Sequence, residues 1–100
     1  MNEAQITMKS LANALGNSTR WEALRELAAG EPLLTIELSE QLGAERNSLS
    51  RHMKILHSCG LVTKNRAGQY AIPPGRLVSK EERILDYGIC LLRLGVPTKA

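Results

Sequence analysis

Residues 46 to 58, Arg46-Asn47-Ser48-Leu49-Ser50-Arg51-His52-Met53-Lys54-Ile55-Leu56-His57-Ser58, decide the fold. Leu49, Met53 and Leu56 recur at i, i+4 and i+7, so they fall on one side of a helix. Asn47, Ser50, Arg51, Lys54 and Ser58 share the opposite side, which holds donors and positive charge and no carboxylate. A face of that kind suits a polyanion with readable edges, double-stranded DNA foremost.

The residues before this helix give it a partner. Thr35 is a plausible cap for a short helix through Ile36-Glu37-Leu38-Ser39-Glu40-Gln41-Leu42, which Gly43 stops; Ala44 and Glu45 complete the connection. Two short helices joined by a Gly-containing turn form a helix-turn-helix pattern, and the basic face lies on its second member. Further upstream, Met8, Leu11, Ala12 and Leu15 predict a first helix over about residues 4–15, ending at Gly16. Thr19 and Glu22 have capping-box spacing for a second helix that buries Trp21, Leu24, Leu27 and Ala28 and stops at Gly30.

Downstream, Gly60 closes the basic helix. The β-prone runs 61–66 and 69–72 flank Ala67-Gly68 as a hairpin, which Pro73-Pro74-Gly75 ends. Ser79 and Glu82 repeat the capping-box spacing and predict a fifth helix over about residues 79–94. Ile84, Leu85, Tyr87, Ile89, Cys90, Leu91, Leu92 and Leu94 would leave that helix apolar around most of its circumference, too much for the outside of a small monomer. The expectation is a homodimer whose interface is Ile84, Leu85, Ile89 and Leu92, since a two-fold contact needs only one self-complementary patch. The predicted fold is mainly α with a small β-hairpin wing, a winged helix-turn-helix of about five helices, with residues 1–100 as one domain.

Charge distribution supports the same partner. Residues 1–45 hold three basic side chains against seven acidic ones, whereas residues 46–76 hold six basic side chains and no acid. The wing residues Lys64 and Arg66 extend the positive strip beyond the helix. Three aromatics and no Phe offer few platforms for stacking bases, which disfavours single strands. With 43% hydrophobic residues the chain should fold without staples or metal, and Cys59 and Cys90 stand too far apart in sequence to form a ligand motif. No cofactor is expected. No signal-peptide pattern or membrane-length apolar run is present, which predicts a soluble cytoplasmic protein.

Leu15-Gly16-Asn17-Ser18-Thr19-Arg20, Leu38-Ser39-Glu40-Gln41-Leu42-Gly43, Ser50-Arg51-His52-Met53-Lys54-Ile55-Leu56 and Gly60-Leu61-Val62 stand in the order and spacing of the ArsR-like winged helix-turn-helix regulators, which the chain resembles over about residues 5–95. The resemblance implies a homodimeric repressor with recognition helices in successive major grooves. It places Arg46, Asn47, Ser48, Ser50 and Arg51 on the DNA-facing first turns, with Lys54 further along. Arg46 and Asn47 are the candidates for base reading, because their side chains bond guanine and adenine edges in pairs; Ser48, Ser50, Arg51 and Lys54 are candidates for phosphate. The sequence departs from the metal-sensing members: Leu34, Thr35 and Ile36 stand where those carry paired cysteines, and Asp86 is alone in the last segment. Pro73-Pro74 also keeps the wing short.

Other functions fit less well. Catalysis needs a nucleophile, a base and an orienting group in one pocket, and His52 and Cys59 are two helical turns apart. Trp21 is expected in the core, His52 at its edge or on phosphate, and His57 toward solvent. A winged-helix protein-interaction module would interrupt the basic face with carboxylates or apolar anchors, and residues 46–58 show neither. A regulator switched by oxidation of Cys59 or Cys90, an unidentified small-molecule effector at the dimer interface, and constitutive binding are the three regulatory alternatives.

Overall fold

The fold is that of a computed structural model, which describes residues 6–95. Thr7 opens α1 (Met8–Leu15): its Oγ1 accepts the Ser10 N–H at 3.0 Å, while the Ser10 hydroxyl oxygen accepts the Thr7 N–H at 3.1 Å. The helix thus begins after the expected position 4, which lies outside the described residues. Asn17 then caps α2 (Ser18–Leu27), its Oδ1 accepting from Thr19 N–H at 2.9 Å and Arg20 N–H at 3.2 Å. The expected cap, Thr19, sits inside the first turn, because Asn17 already holds the extended conformation and the acceptor that a cap requires.

α3 (Thr35–Leu42) and α4 (Arg46–Ser58) form the helix-turn-helix. Gly43 between them has φ 66°, a left-handed conformation that turns the chain while the N–H groups of Gly43 and Ala44 close back on Ser39 O. Leu49, Met53 and Leu56 are fully buried, as their spacing predicts. They meet Leu24 and Leu27 of α2 and Leu38 of α3 in one apolar core.

Two antiparallel sheets follow. β1 (Thr63–Lys64) pairs with β2 (Tyr70–Ala71) as the expected wing. The chain before α3 is tied to it, since Leu33 and Tyr70 exchange both backbone hydrogen bonds at 2.9 and 2.8 Å. The second sheet, in order β3 (Leu77–Ser79), β4 (Ile84–Asp86), β5 (Leu91–Arg93), stands where the fifth helix was expected. Four helices, not about five, are therefore present among the described residues. The architecture is a winged helix-turn-helix.

The sheet overrules the helix for physical reasons visible at three positions. Ser79 Oγ does accept the Glu82 N–H at 3.0 Å, but this bond closes the turn of a hairpin. Gly88, with φ 89°, and the Asp86 carboxylate that accepts its N–H at 2.8 Å build a second turn in what would have been the helix middle. Leu77, Leu85 and Leu92 stand side by side in register, and burial alternates along Leu91-Leu92-Arg93-Leu94. Ile84, Leu85 and Leu92, expected at a dimer interface, are consequently buried in the chain's own structure, and only Ile89 of the four is exposed.

Gly88→Ala separates the two conformations. In the observed turn it forces a left-handed conformation on a side-chain-bearing residue and should destabilise the protein by about 1 kcal/mol or more. A helix over 79–94 would instead gain about 1 kcal/mol. Urea unfolding of the variant and the native chain reads the sign.

Candidate nucleic-acid interface

The burial of one side of α4 turns its other side outward. Arg46, Asn47, Arg51 and Lys54 are exposed and Ser50 is half-buried. Glu45, immediately before the helix, is the cap: its two carboxylate oxygens accept from Ser48 N–H at 2.8 Å and Asn47 N–H at 3.0 Å. Those two hydrogen bonds, aided by the nearby Arg51 and Arg46 charges, hold the carboxyl below its ordinary range. The one acid adjoining the basic face is thereby engaged with the helix N-terminus.

Arg46, Asn47, Ser50 and Lys54 line one side of an open groove, and Lys64, Gly68 and Tyr70 of the wing region line the other. Its end is formed by Leu34, Thr35 and Ile36 at the start of α3. Five of the expected DNA-facing residues thus converge on one concave surface. The other three do not line it. Ser48 is half-buried beside Glu45, Arg51 lies on the exposed flank of α4, and Arg66 occupies the tip of the wing.

The start of α3 joins this surface, although the sequence offers Thr35 as the cap. Thr35 is instead the first helical residue; Leu34 holds the cap position and has no side-chain acceptor. Leu34 N–H is taken by the Glu37 carboxylate at 2.8 Å, so the N-terminal end of α3 is held by an acid from within its own first turn. A leucine at a cap position was the available signal. Gly68 and Tyr70 enter through tertiary pairing with Leu33, which has no local signal.

Aromatic packing fixes the wing's charge. The Lys64 ammonium lies 5.3 Å from the centre of the buried Tyr70 ring, and the His57 ring meets the same tyrosine edge-on at 6.3 Å. On the far flank of α4, Arg20 donates from Nε to Ala14 O at 2.7 Å and places Nη1 3.4 Å from His52 Nδ1. Partial burial, with the charges of Arg20 and Arg51, pushes the His52 pKa down and favours the neutral ring. Cys59 and Cys90 are both free and packed against the core. Burial, then Asp86, pushes the Cys90 thiol pKa up, the direction that lowers its reactivity.

Among the described residues no group of three or more His, Cys, Asp or Glu side chains could hold a metal ion, and no helix is long and apolar enough to cross a membrane.

This arrangement of fold and groove defines a winged helix-turn-helix with a basic surface groove. The family described as "Bacterial regulatory protein, arsR family" matches residues 17–64, which span α2, the helix-turn-helix and the first wing strand. The chain is 30% identical over 70 residues to a Halobacterium salinarum protein named as a candidate arsenical resistance operon repressor, ArsR2, covering 69% of this chain and 59% of that one. It is 32% identical over 68 residues to the HTH-type transcriptional regulator NmtR of Mycobacterium tuberculosis, covering 68% and 56%. It is 33% identical over 69 residues to the uncharacterized HTH-type transcriptional regulator YuzN of Bacillus subtilis, covering 63% and 75%. The chain belongs to the arsR family of bacterial regulatory proteins. The matched segments span less than two thirds of the first two relatives.

The Glu45 cap makes a pH-dependent contribution of defined sign. Its folded pKa lies below the ordinary 4.5, so the stabilisation is present above that value and is lost as pH falls through the lower folded one. Glu45→Gln should flatten this part of the acid-side loss in urea unfolding between about pH 3 and 6. An unchanged pH slope would show that the cap carries no linkage.

Proposed function

We propose that the chain is a sequence-specific double-stranded-DNA-binding transcription repressor that acts in the cytoplasm as a homodimer. The observation that carries this reading is the groove in which Arg46, Asn47, Ser50 and Lys54 face Lys64, with the start of α3 at its end and no carboxylate in its lining. α4 is the element that enters the major groove. Arg46 and Asn47, on its first turn, read base edges, while Ser50 and Lys54 take backbone phosphates. Arg51, Ser48 and Arg66 extend the contact to either side. Repression follows from occupying a promoter, in keeping with the name of the Halobacterium relative.

Two copies would place their recognition helices about 34 Å apart, on half-sites one helical turn apart. The contact between them is not the helix expected from the sequence. The apolar residues left exposed beside the second sheet are Val78, Ile89 and Leu91, and Met8 is exposed on α1. Ile89 and Leu91 are the proposed centre of a two-fold patch.

Arg46→Ala should cost about 1–3 kcal/mol on the preferred duplex and relax selection at one base pair. Lys54→Ala should weaken all duplexes alike and reduce the salt slope by about 1. Selection from a random duplex pool, followed by affinity titrations over salt, measures both; equal loss for Arg46→Ala on preferred and random duplexes would contradict base reading. Sedimentation tests the second copy. The native chain should sediment as a dimer and Ile89→Glu as a folded monomer.

A further inference from the structure

A second cavity, of 550 Å³, opens where the C-terminal end of α4, β1 and the turn after the wing meet. His57, Lys64 and Arg76 line it together with the apolar walls of Val62, Pro73 and Pro74, and no carboxylate belongs to its lining among the described residues. Its cations are held by aromatic rings. Lys64 rests on Tyr70, the Arg76 guanidinium lies 5.7 Å from the centre of the Tyr87 ring, and the His57 ring meets Tyr70 edge-on. Tyr87 is itself buried and fixed by its hydroxyl, which donates to Leu61 O at 2.7 Å.

This manner of support leaves the charge uncompensated. An arginine held by a carboxylate has its N–H fork occupied, whereas one stacked on a ring keeps the edge of the fork free for an oxyanion. The neighbouring acid, Asp86, accepts the Gly88 N–H through its carboxylate and touches Arg76 through the backbone, its N–H donating to Arg76 O at 2.8 Å. The one ion pair among the described residues, between Arg93 and Glu82, lies elsewhere.

We propose that this cavity is a phosphate site, in which Arg76 supplies the planar fork, Lys64 the point charge and His57 a further donor. Lys64 lines both this cavity and the DNA groove, so the two sites share that residue. That coupling rests on the DNA-binding reading; the site itself does not. The phosphate has two sources with the same chemistry, a backbone phosphate of the duplex beyond the wing or a free phosphorylated small molecule.

Inorganic phosphate titrated into the ¹⁵N-labelled full chain, with ionic strength held constant by chloride, tests the site. Saturable shifts of the Arg76 Nε–H and of the Thr63 and Lys64 amides are expected. Arg76→Gln should weaken them by at least about tenfold, and Arg76→Lys, which keeps the charge and loses the fork, should fall between. The same spectra show whether each variant is folded, and Lys64→Gln reads the cavity from its other side. Linear shifts identical to those with chloride, or saturation unchanged in folded Arg76→Gln and Lys64→Gln, would overturn the proposal. Duplex titrations identify the occupant. Uniform weakening by Arg76→Gln with a salt slope lower by about 1 assigns the phosphate to DNA, and unchanged duplex affinity assigns it to a free ligand. A chain that bound no duplex would still give the phosphate result.

Discussion

The complete burial of Leu49, Met53 and Leu56 is the constraint on which the rest of the molecule depends. Three side chains on one stripe of a helix fix its rotation about its own axis, because turning it by one residue would carry all three out of the core and bring polar side chains in. Leu24, Leu27 and Leu38 supply the apolar surface against which the stripe closes. Given that contact, the outward direction of Asn47, Arg51 and Lys54 is a consequence of helix geometry. The N-terminal end is fixed separately, by the left-handed Gly43 before the helix and by the Glu45 carboxylate on its first turn.

Tyr70 carries the second half of the surface. Its backbone pairs with Leu33, bringing the start of α3 to the wing, and its ring supports Lys64 and His57. Positive charge is thus positioned here by an aromatic face and main-chain pairing, with no carboxylate in the lining of the groove. The same device recurs at Arg76 and Tyr87. Cations held in this way keep their field available to an incoming anion, whereas surface ion pairs would have partly cancelled it.

What the sequence made legible was local. The bounds of α4, its buried stripe and the wing turn at Ala67-Gly68 all follow from spacings within one or two helical turns, and the structure has them. The expectation of a helix over residues 79–94 fails for a related reason: Ser79 and Glu82 make the bond that their spacing promises, but a hydroxyl accepting an N–H three residues on serves a hairpin turn as well as a helix. Gly88 was the discriminating residue, since a glycine at the centre of an apolar run weakens a helix and suits a turn of positive φ. Tertiary neighbours carried no such signal. Nothing near Tyr70 in sequence announces Leu33, and nothing near Arg20 announces that its guanidinium reaches from the carbonyl of Ala14 to the ring of His52.

Exchanging the expected helix for a sheet alters how the two ends of the molecule are connected. A terminal helix could have been an appendage, with its leucines reserved for another copy. In the sheet, Leu85 and Leu92 complete the chain's own core, and Arg83 donates to Arg25 O at 2.9 Å at the end of α2. Tyr87 then extends from the same sheet to Leu61, the residue between α4 and β1. A buried hydroxyl-to-carbonyl bond at that junction leaves the wing little freedom to move independently of the sheet, because breaking it would strand two polar groups away from water. The position of Lys64 is therefore set from both sides, by Tyr70 beneath it and by the sheet through Leu61, which joins the exposed face of α4 and its flanking charge in one surface.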